Sequence, residues 1–206
     1  MNDQSQQAVS VYEKISANYA KQFSDPSFHI DSFIELLPKG AKVLDVGCGP
    51  GRDSAYMYER GLKVTGIDLS ECMIRIAKQQ YPEIDFRVTD MRKIEQTSNS
   101  FDGVFASFSL IHIPKKDLPK TLQGFFSLLK SGGILFAAIQ EGKSEEVYIT
   151  EPLKPDEKIF LNIISRQELK KLLLASSFKF LRYFARKPIN KEEFNYTKYV
   201  LMAKKP

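Results

Sequence analysis

Apolar residues near the start of the chain recur at the spacing of a helix face. Tyr12, Ile15 and Tyr19 are separated by three or four positions, and Phe23 extends the same face by one turn. A second apolar stripe of this period covers residues 30–37 and is followed by a proline and a glycine, which commonly end helices. The pattern therefore predicts two helices in this part of the chain.

Short β-branched runs alternate with helical stripes from residue 42 onward. This alternation predicts crossover connections, which make the strands parallel and place helices on both faces of one sheet. Ser70 is a candidate helix N-cap, because its hydroxyl can accept a hydrogen bond from the first helical turn. The predicted strands cover residues 42–46, 62–67, 84–88, 103–107 and 134–139, and the predicted helices cover residues 52–60, the segment after Ser70, and 118–129.

The last quarter of the chain departs from this alternation. Ser165-Arg166-Gln167-Glu168 has the form of a capping box and predicts one more helix. Strand-like runs follow at 178–184 and 196–202, and their polar link is too short for a crossover, so it predicts an antiparallel hairpin. We expect a single α/β domain over residues 1–206, with a seven-stranded, mostly parallel sheet that ends in this hairpin.

Composition and charge restrict the cellular setting and the partners. The sequence contains no apolar run long enough for a membrane helix, its first residues are polar, and its two cysteines lack metal-ligand spacing. We therefore expect a cytoplasmic protein that does not bind membranes. The net charge is +5, and the basic residues of the C-terminal quarter are dispersed, which favours a solvated surface over a nucleic-acid interface.

A glycine-rich turn is the strongest chemical feature of the sequence. Asp45-Val46-Gly47-Cys48-Gly49-Pro50-Gly51 lies between a predicted strand and a predicted helix, where missing side chains let the backbone approach a ligand closely. Asp68 ends the next predicted strand, a position at which a carboxylate accepts hydrogen bonds from ribose hydroxyls. A nicotinamide dinucleotide site would need a further glycine where Arg52 stands, and this difference disfavours an oxidoreductase.

The glycine turn and the strand ends resemble motifs of the class I S-adenosylmethionine-dependent methyltransferases, in particular of their small-molecule branch. The resemblance covers roughly residues 10–206. It implies a Rossmann-like fold and S-adenosyl-L-methionine as the cofactor. The motifs that carry the resemblance lie at residues 43–53, 64–70, 89–91, 101–107 and 128–133.

The resemblance also implies which residues surround the cofactor. Those at the glycine turn would hold or make room for its methionine end, and those after the second and third strands would bind its ribose and adenine. The backbone after the fourth strand would face the reacting end. The residues are Asp45, Gly47, Gly49 and Gly51 at the turn, Asp68 and Leu69 after the second strand, Asp90 and Met91 after the third, and Ser107 after the fourth.

Three residues are candidates for the substrate side. The helix that carries Tyr12 and Tyr19 resembles a lid that covers the active site in many family members, and we expect a lid over residues 1–24. The alternative is that both tyrosines only pack in a helical stripe. His112 follows the fourth strand, where a general base would stand, but a surface or structural histidine is the interpretation that we favour.

The predicted function is methyl transfer by in-line displacement to an unidentified small-molecule acceptor. Residues 141–162, between the fifth strand and the capping box, are the expected specificity insertion. The sequence lacks the acid cluster of magnesium-dependent enzymes, so no metal site is predicted. The alternative function is a non-catalytic domain that binds S-adenosylmethionine and regulates or scaffolds a partner.

Overall fold

Helices and strands alternate through most of the protein. The computed structural model describes residues 4–95 and 97–206, so residues 1–3 of the predicted lid lie outside the described part. The helices are α1 (Gln4–Gln22), α2 (Ile30–Ile34), α3 (Arg52–Glu59), α4 (Glu71–Gln80), α5 (Leu118–Leu128) and α6 (Arg166–Ala175). The strands are β1 (Lys42–Val46), β2 (Lys63–Asp68), β3 (Asp85–Val88), β4 (Phe101–Ser107), β5 (Leu129–Glu141), β6 (Glu145–Glu151), β7 (Lys154–Ile163), β8 (Lys179–Arg186) and β9 (Thr197–Lys204).

Seven strands form the central sheet in the order β3-β2-β1-β4-β5-β9-β8. The first five are parallel to one another, whereas β9 runs antiparallel to both β5 and β8. The predicted fold, with a mostly parallel sheet and an antiparallel C-terminal hairpin, is therefore confirmed. Within the described residues, no helix is both long and apolar enough to cross a membrane.

Two hydrophobic clusters cover the two faces of this sheet. Neighbouring residues of one strand point to opposite faces, so Val43 belongs to the cluster with α2, α3 and α4, and Leu44 to the cluster with α5 and α6. Serine hydroxyls fix two helix starts as predicted. Ser70 accepts a hydrogen bond from the Met73 amide at 3.3 Å, and Ser165 accepts one from the Glu168 amide at 3.2 Å.

A second, two-stranded sheet lies outside the central one and was not predicted. Strands β6 and β7 pair antiparallel and occupy most of the segment 141–162. Helix α1 is attached to β7 through the Gln7 side chain. Its amide nitrogen donates to the Lys158 carbonyl at 2.6 Å, and its amide oxygen accepts from the Phe160 amide at 2.9 Å. Gln7 thus bonds to β7 much as a neighbouring strand would.

Candidate functional site

A pocket lies at the carboxyl ends of β1, β2 and β4, beneath helix α1. In open α/β sheets this edge is where ligands bind. The structure brings ten of the predicted site residues together here and leaves Asp45 and Gly51 outside the lining. The ten are Tyr12, Tyr19, Gly47, Gly49, Asp68, Leu69, Asp90, Met91, Ser107 and His112.

The backbone shape of the glycine turn explains two of its glycines. The amides of Gly47 and Cys48 both donate to the Ile67 carbonyl, at 2.7 and 3.0 Å. A Cβ on Gly47 would lie 2.3 Å from the Ser109 Cβ, and the residue has a φ of 72°. Gly49 has a φ of 55°, and a Cβ there would meet no described atom within 4 Å. Gly47 therefore allows two loops to touch, whereas Gly49 borders open space that a ligand can fill.

Gly51 and Asp45 support the turn from behind. A Cβ on Gly51 would lie 2.8 Å from the Phe86 ring and 3.0 Å from the Ala77 Cβ, so packing within the protein requires this glycine. Asp45 is buried and accepts a hydrogen bond from the Ser54 hydroxyl at 2.6 Å. Burial raises the pKa of Asp45 to about 8.

Asp68 has both carboxylate oxygens directed at the turns around it. One oxygen accepts from the Gly49 amide at 2.9 Å, and the other accepts from the Ser70 amide at 2.8 Å. Desolvation in the pocket raises the pKa of Asp68, and the backbone hydrogen bonds oppose this rise. Each oxygen keeps a lone pair, so the carboxylate can accept further hydrogen bonds from a ligand.

Asp90 is held by its neighbour Arg92. The Arg92 guanidinium lies 2.7 Å from one Asp90 oxygen, and the Arg92 amide donates to the other at 2.9 Å. Partial burial opposes ionisation of Asp90, but the hydrogen bonds from Arg92 outweigh it and lower the pKa. Asp90 is therefore a fixed anion at the pocket wall, and an adenine amine would share it with Arg92.

Tyr12 and His112 form a hydrogen-bonded pair at the other wall. His112 Nδ1 lies 3.1 Å from the Phe160 carbonyl, which can only accept, so Nδ1 carries the proton. Nε2 is then an acceptor, and the Tyr12 hydroxyl donates to it at 3.0 Å. Burial lowers the pKa of His112 to about 4, and burial raises the pKa of Tyr19 to about 12. The three side chains are neutral at physiological pH.

A polar network ties the end of α1 to the glycine turn, and the sequence analysis did not predict it. Arg52 forms an ion pair with Asp53 at 3.0 Å and donates to the Phe23 carbonyl at 2.8 Å. The Ser27 hydroxyl donates to Asp53 at 2.6 Å and lies 2.7 Å from the Ser107 hydroxyl. No sequence motif links residues so far apart in the chain, since only folding brings them together.

The loop after β4 is strained and leaves one polar atom without a partner. Phe108 has a φ of 52°, a left-handed conformation that costs a bulky residue about 1–2 kcal/mol. The buried Ser109 hydroxyl makes no hydrogen bond within the described part of the chain. Both residues line the pocket, so the strain and the unpartnered hydroxyl lie where a ligand would contact them.

The charge of the pocket fits a cationic nucleoside ligand. Its described lining includes the carboxylates of Asp68 and Asp90 but no lysine or arginine side chain. A pyrophosphate would lack cationic partners here, whereas a ligand with ribose hydroxyls and a positive charge would find acceptors. The residues present therefore fit S-adenosylmethionine. Nowhere in the described residues do three or more His, Cys, Asp or Glu side chains cluster as a metal site.

A second cavity of about 280 Å³ adjoins the first. The two share Tyr12, Tyr19 and Phe108 as a common wall. Lys198 lines the second cavity and donates to the Phe194 carbonyl at 2.6 Å, and burial lowers its pKa to about 8. Glu151, the last residue of β6, also lines it and was not predicted as a site residue. The adjacent position and the shared aromatic wall suit a second small ligand.

Comparisons with known proteins agree with this geometry. Residues 43–133 match the model of a methyltransferase domain. The chain is 38% identical over 108 residues to phosphoethanolamine N-methyltransferase 3 of Arabidopsis thaliana, a match that covers 49% of this chain and 22% of that protein. It is also 38% identical over 106 residues to the ubiquinone biosynthesis O-methyltransferase of Xanthomonas axonopodis, covering 49% of this chain and 44% of that protein. The chain thus matches less than half the length of either relative.

One solved structure shows how much of the fold is shared. The 1,6-didemethyltoxoflavin-N1-methyltransferase of Burkholderia thailandensis, with bound S-adenosylhomocysteine, aligns with a TM-score of 0.72 at 20% identity. The alignment covers 96% of this chain and 86% of that one. At this identity the likeness concerns the fold, and it extends over nearly the whole chain.

Proposed function

We propose that the chain is a class I S-adenosylmethionine-dependent methyltransferase that transfers the methyl group of this cofactor to a small-molecule acceptor. The observation that carries the proposal is the pocket beneath α1. It combines an open glycine turn, a carboxylate held at the end of β2 and a described lining that lacks basic side chains.

Different residues around the pocket would contact different parts of the cofactor. Asp68 would accept hydrogen bonds from the ribose hydroxyls, and Leu69 would pack against adenine. Asp90 and the Met91 backbone would contact the adenine edge. Gly47 and the loop at Ser107 would border the methionine end. Asp45 and Gly51 act indirectly, because both support the turn from outside the pocket.

The reaction needs orientation more than side-chain chemistry. When bound, the sulfonium of the cofactor supplies an activated methyl group and a neutral leaving group. The protein has to align the acceptor with that methyl group and exclude water from the pocket. Helix α1 covers the pocket, and its Tyr12 and Tyr19 rings pack edge to face with centroids 5.4 Å apart. We therefore propose that residues 4–24 act as the lid of this site.

His112 contributes to the proposed mechanism through Tyr12. Because the Tyr12 hydroxyl already occupies Nε2, a proton that reaches His112 from the acceptor would pass through this hydroxyl. The neutral imidazole is the form that accepts a proton, and its lowered pKa makes it a weak base. The pair therefore suits orientation of a hydroxyl or amine near the methyl group better than full deprotonation.

The size of the second cavity supports a small acceptor. Its volume of about 280 Å³ is just below the range of about 300–1,000 Å³ found for small-molecule sites, which suits a small ligand. The names of the two curated relatives refer to phosphoethanolamine and to ubiquinone biosynthesis, which supports a small acceptor here as well.

Two free cysteines, Cys48 and Cys72, agree with the expected cytoplasmic location.

The proposal is tested by measuring cofactor binding and turnover separately. Calorimetry should detect S-adenosylhomocysteine binding, and Asp68→Ala should weaken it about 10- to 150-fold, which corresponds to about 1.5–3 kcal/mol for charged hydrogen bonds. Asp85→Ala is the matched control, because within the described residues this exposed carboxylate forms hydrogen bonds only with Arg87. Its affinity should equal that of the wild type.

Turnover is then assayed with labelled S-adenosylmethionine and a panel of metabolites. Production of S-adenosylhomocysteine that depends on one metabolite supports methyl transfer. Tight binding without turnover across the panel would instead indicate the non-catalytic binding domain. A folded protein that binds neither form of the cofactor would contradict the proposal.

A further inference from the structure

Glu151 stands out among the charged residues around the second cavity. Its side chain belongs to β6 and is only 3% exposed. One carboxylate oxygen accepts a hydrogen bond from the Leu153 amide at 3.2 Å. The other oxygen is buried and has no hydrogen-bond partner within the described residues. A buried carboxylate oxygen without a partner costs about 1–3 kcal/mol or more, so its position requires a reason.

In the described part of the chain, the basic side chains that line this cavity form ion pairs with carboxylates other than Glu151. Arg186 and Lys198 line the same cavity but lie beside Glu193, at 2.7 and 3.6 Å. Arg52 lies beside Asp53 at 3.0 Å. The basic side chains of this wall are thus engaged with other carboxylates, and the free oxygen of Glu151 remains available to a ligand.

Several aromatic side chains line the same cavity as Glu151. Tyr12, Tyr19 and Phe108 separate the second cavity from the cofactor pocket, and Phe28 and Phe194 line its other parts. Aromatic faces attract cations, and a buried carboxylate accepts strong hydrogen bonds from them. The combination of one unpartnered carboxylate oxygen with several rings is complementary to an ammonium group on a small organic molecule.

We propose that the second cavity is the acceptor site and that Glu151 selects acceptors that carry an amine. This inference rests on the proposed methyl-transfer function and adds the chemical class of its substrate. Glu151 recognises the amine whichever atom of the acceptor receives the methyl group. The hairpin β6–β7 is then the specificity element expected in residues 141–162, because it carries the selecting side chain at the end of β6.

The test compares amines with alcohols of the same skeleton. Calorimetry on the protein saturated with S-adenosylhomocysteine uses the pairs propylamine and propanol, phenethylamine and phenethyl alcohol, and tyramine and tyrosol. At least one amine should bind about tenfold or more tightly than its alcohol, because only the amine forms a charge-assisted hydrogen bond. The measurement is repeated on Glu151→Gln, Glu151→Asp and the control Glu145→Gln, an exposed position at the start of β6.

The variants separate recognition from folding. Glu151→Gln keeps an acceptor for the Leu153 amide and removes a buried charge, so its melting temperature should not fall below that of the wild type. Its amine affinity should fall about tenfold or more, whereas Glu151→Asp should keep the preference for amine over alcohol. Glu145→Gln should match the wild type in its affinity for the amines and in its affinity for the alcohols.

The outcomes distinguish this inference from the proposed function. If S-adenosylhomocysteine binds but no amine binds, or alcohols bind as well as amines, the assignment of an amine acceptor is overturned. Unchanged amine affinity in Glu151→Gln would remove Glu151 from the site. If the wild type does not bind S-adenosylhomocysteine, the methyltransferase function itself is contradicted.

Discussion

The neutral state of His112 makes the stability of the protein depend on pH in a way that one substitution can isolate. In the folded protein its pKa is lowered from 6.5 to about 4, because the imidazole is buried between Tyr12 and the Phe160 carbonyl. In the unfolded chain the imidazole takes up a proton near its ordinary pKa. Since the unfolded state then binds more protons, stability falls as the pH drops below that value.

The size of this effect follows from the two pKa values. The contribution of His112 is fully present above pH 6.5 and is lost progressively as the pH falls towards 4. Between neutral pH and about pH 4.5, the contribution of His112 to the free energy of unfolding falls by about 2 kcal/mol. This figure allows for the part of the ring that borders the pocket. For a domain of this size, that corresponds to a melting-temperature shift of about 4–8 °C.

The perturbation is His112→Asn, which retains an amide donor for the Phe160 carbonyl and removes the titrating ring. Urea unfolding is followed by far-UV circular dichroism near pH 7.5 and near pH 4.5, since the chain has no tryptophan to report on folding. The loss of the Tyr12 hydrogen bond lowers stability at both pH values and cancels in their difference. The decrease in unfolding free energy on acidification should therefore be about 2 kcal/mol smaller in the variant than in the wild type.

The control is His29→Asn at the other histidine of the sequence. His29 stacks on Phe184, with ring centroids 3.6 Å apart, and desolvation lowers its pKa, but it is partly exposed and its φ of 64° is one that asparagine tolerates. Its effect on the pH dependence should be smaller. Equal pH dependence in wild type and His112→Asn, or a His112 ring that titrates near pH 6.5 by NMR, would refute the neutral buried imidazole.

Three further predictions concern the cofactor pocket, its lid and the basic surface. Gly49→Ala should lower the melting temperature by only a few degrees, since its Cβ meets no described atom within 4 Å. Calorimetry should nevertheless show that the affinity for S-adenosylhomocysteine falls about tenfold or more, because the added methyl group enters the space of the ligand. Residues 4–24 should become more protected in hydrogen exchange when cofactor and acceptor bind, and equal protection in both states would make α1 fixed structure. Filter binding should detect no tight, strongly salt-dependent association with RNA or DNA, despite the net charge of +5.

The sheet was predictable because its strands carry local patterns. The run at Lys42–Val46, the caps at Ser70 and Ser165, and the short link before β9 each restrict the backbone within a few residues. The glycine turn is likewise recognised from its neighbours in sequence, because it lies between a predicted strand and a predicted helix. Such features can be recognised without knowledge of tertiary contacts, which is why the predicted topology agrees with the structure.

The hairpin β6–β7 was missed although part of its pattern is visible. Val147 and Ile149 alternate with polar residues, and residues 159–163 are mostly apolar, but Pro152 and Pro155 between them suggest a loop. Residue order also gives no indication that Glu151 is special, because glutamate at a strand end is ordinarily solvated. Its burial is produced by tertiary packing, which the sequence pattern does not encode locally.

The contact that Gly47 allows has a thermodynamic consequence for ligand binding. Because the loops after β1 and β4 touch, and because the amides of Gly47 and Cys48 share the Ile67 carbonyl, contacts within the protein itself fix the shape of the turn. The conformational entropy of these residues is lost when the protein folds, at about 1–2 kcal/mol for each backbone unit. A ligand that enters the pocket therefore orders little additional backbone at the turn, and its affinity there reflects contacts more than loop ordering.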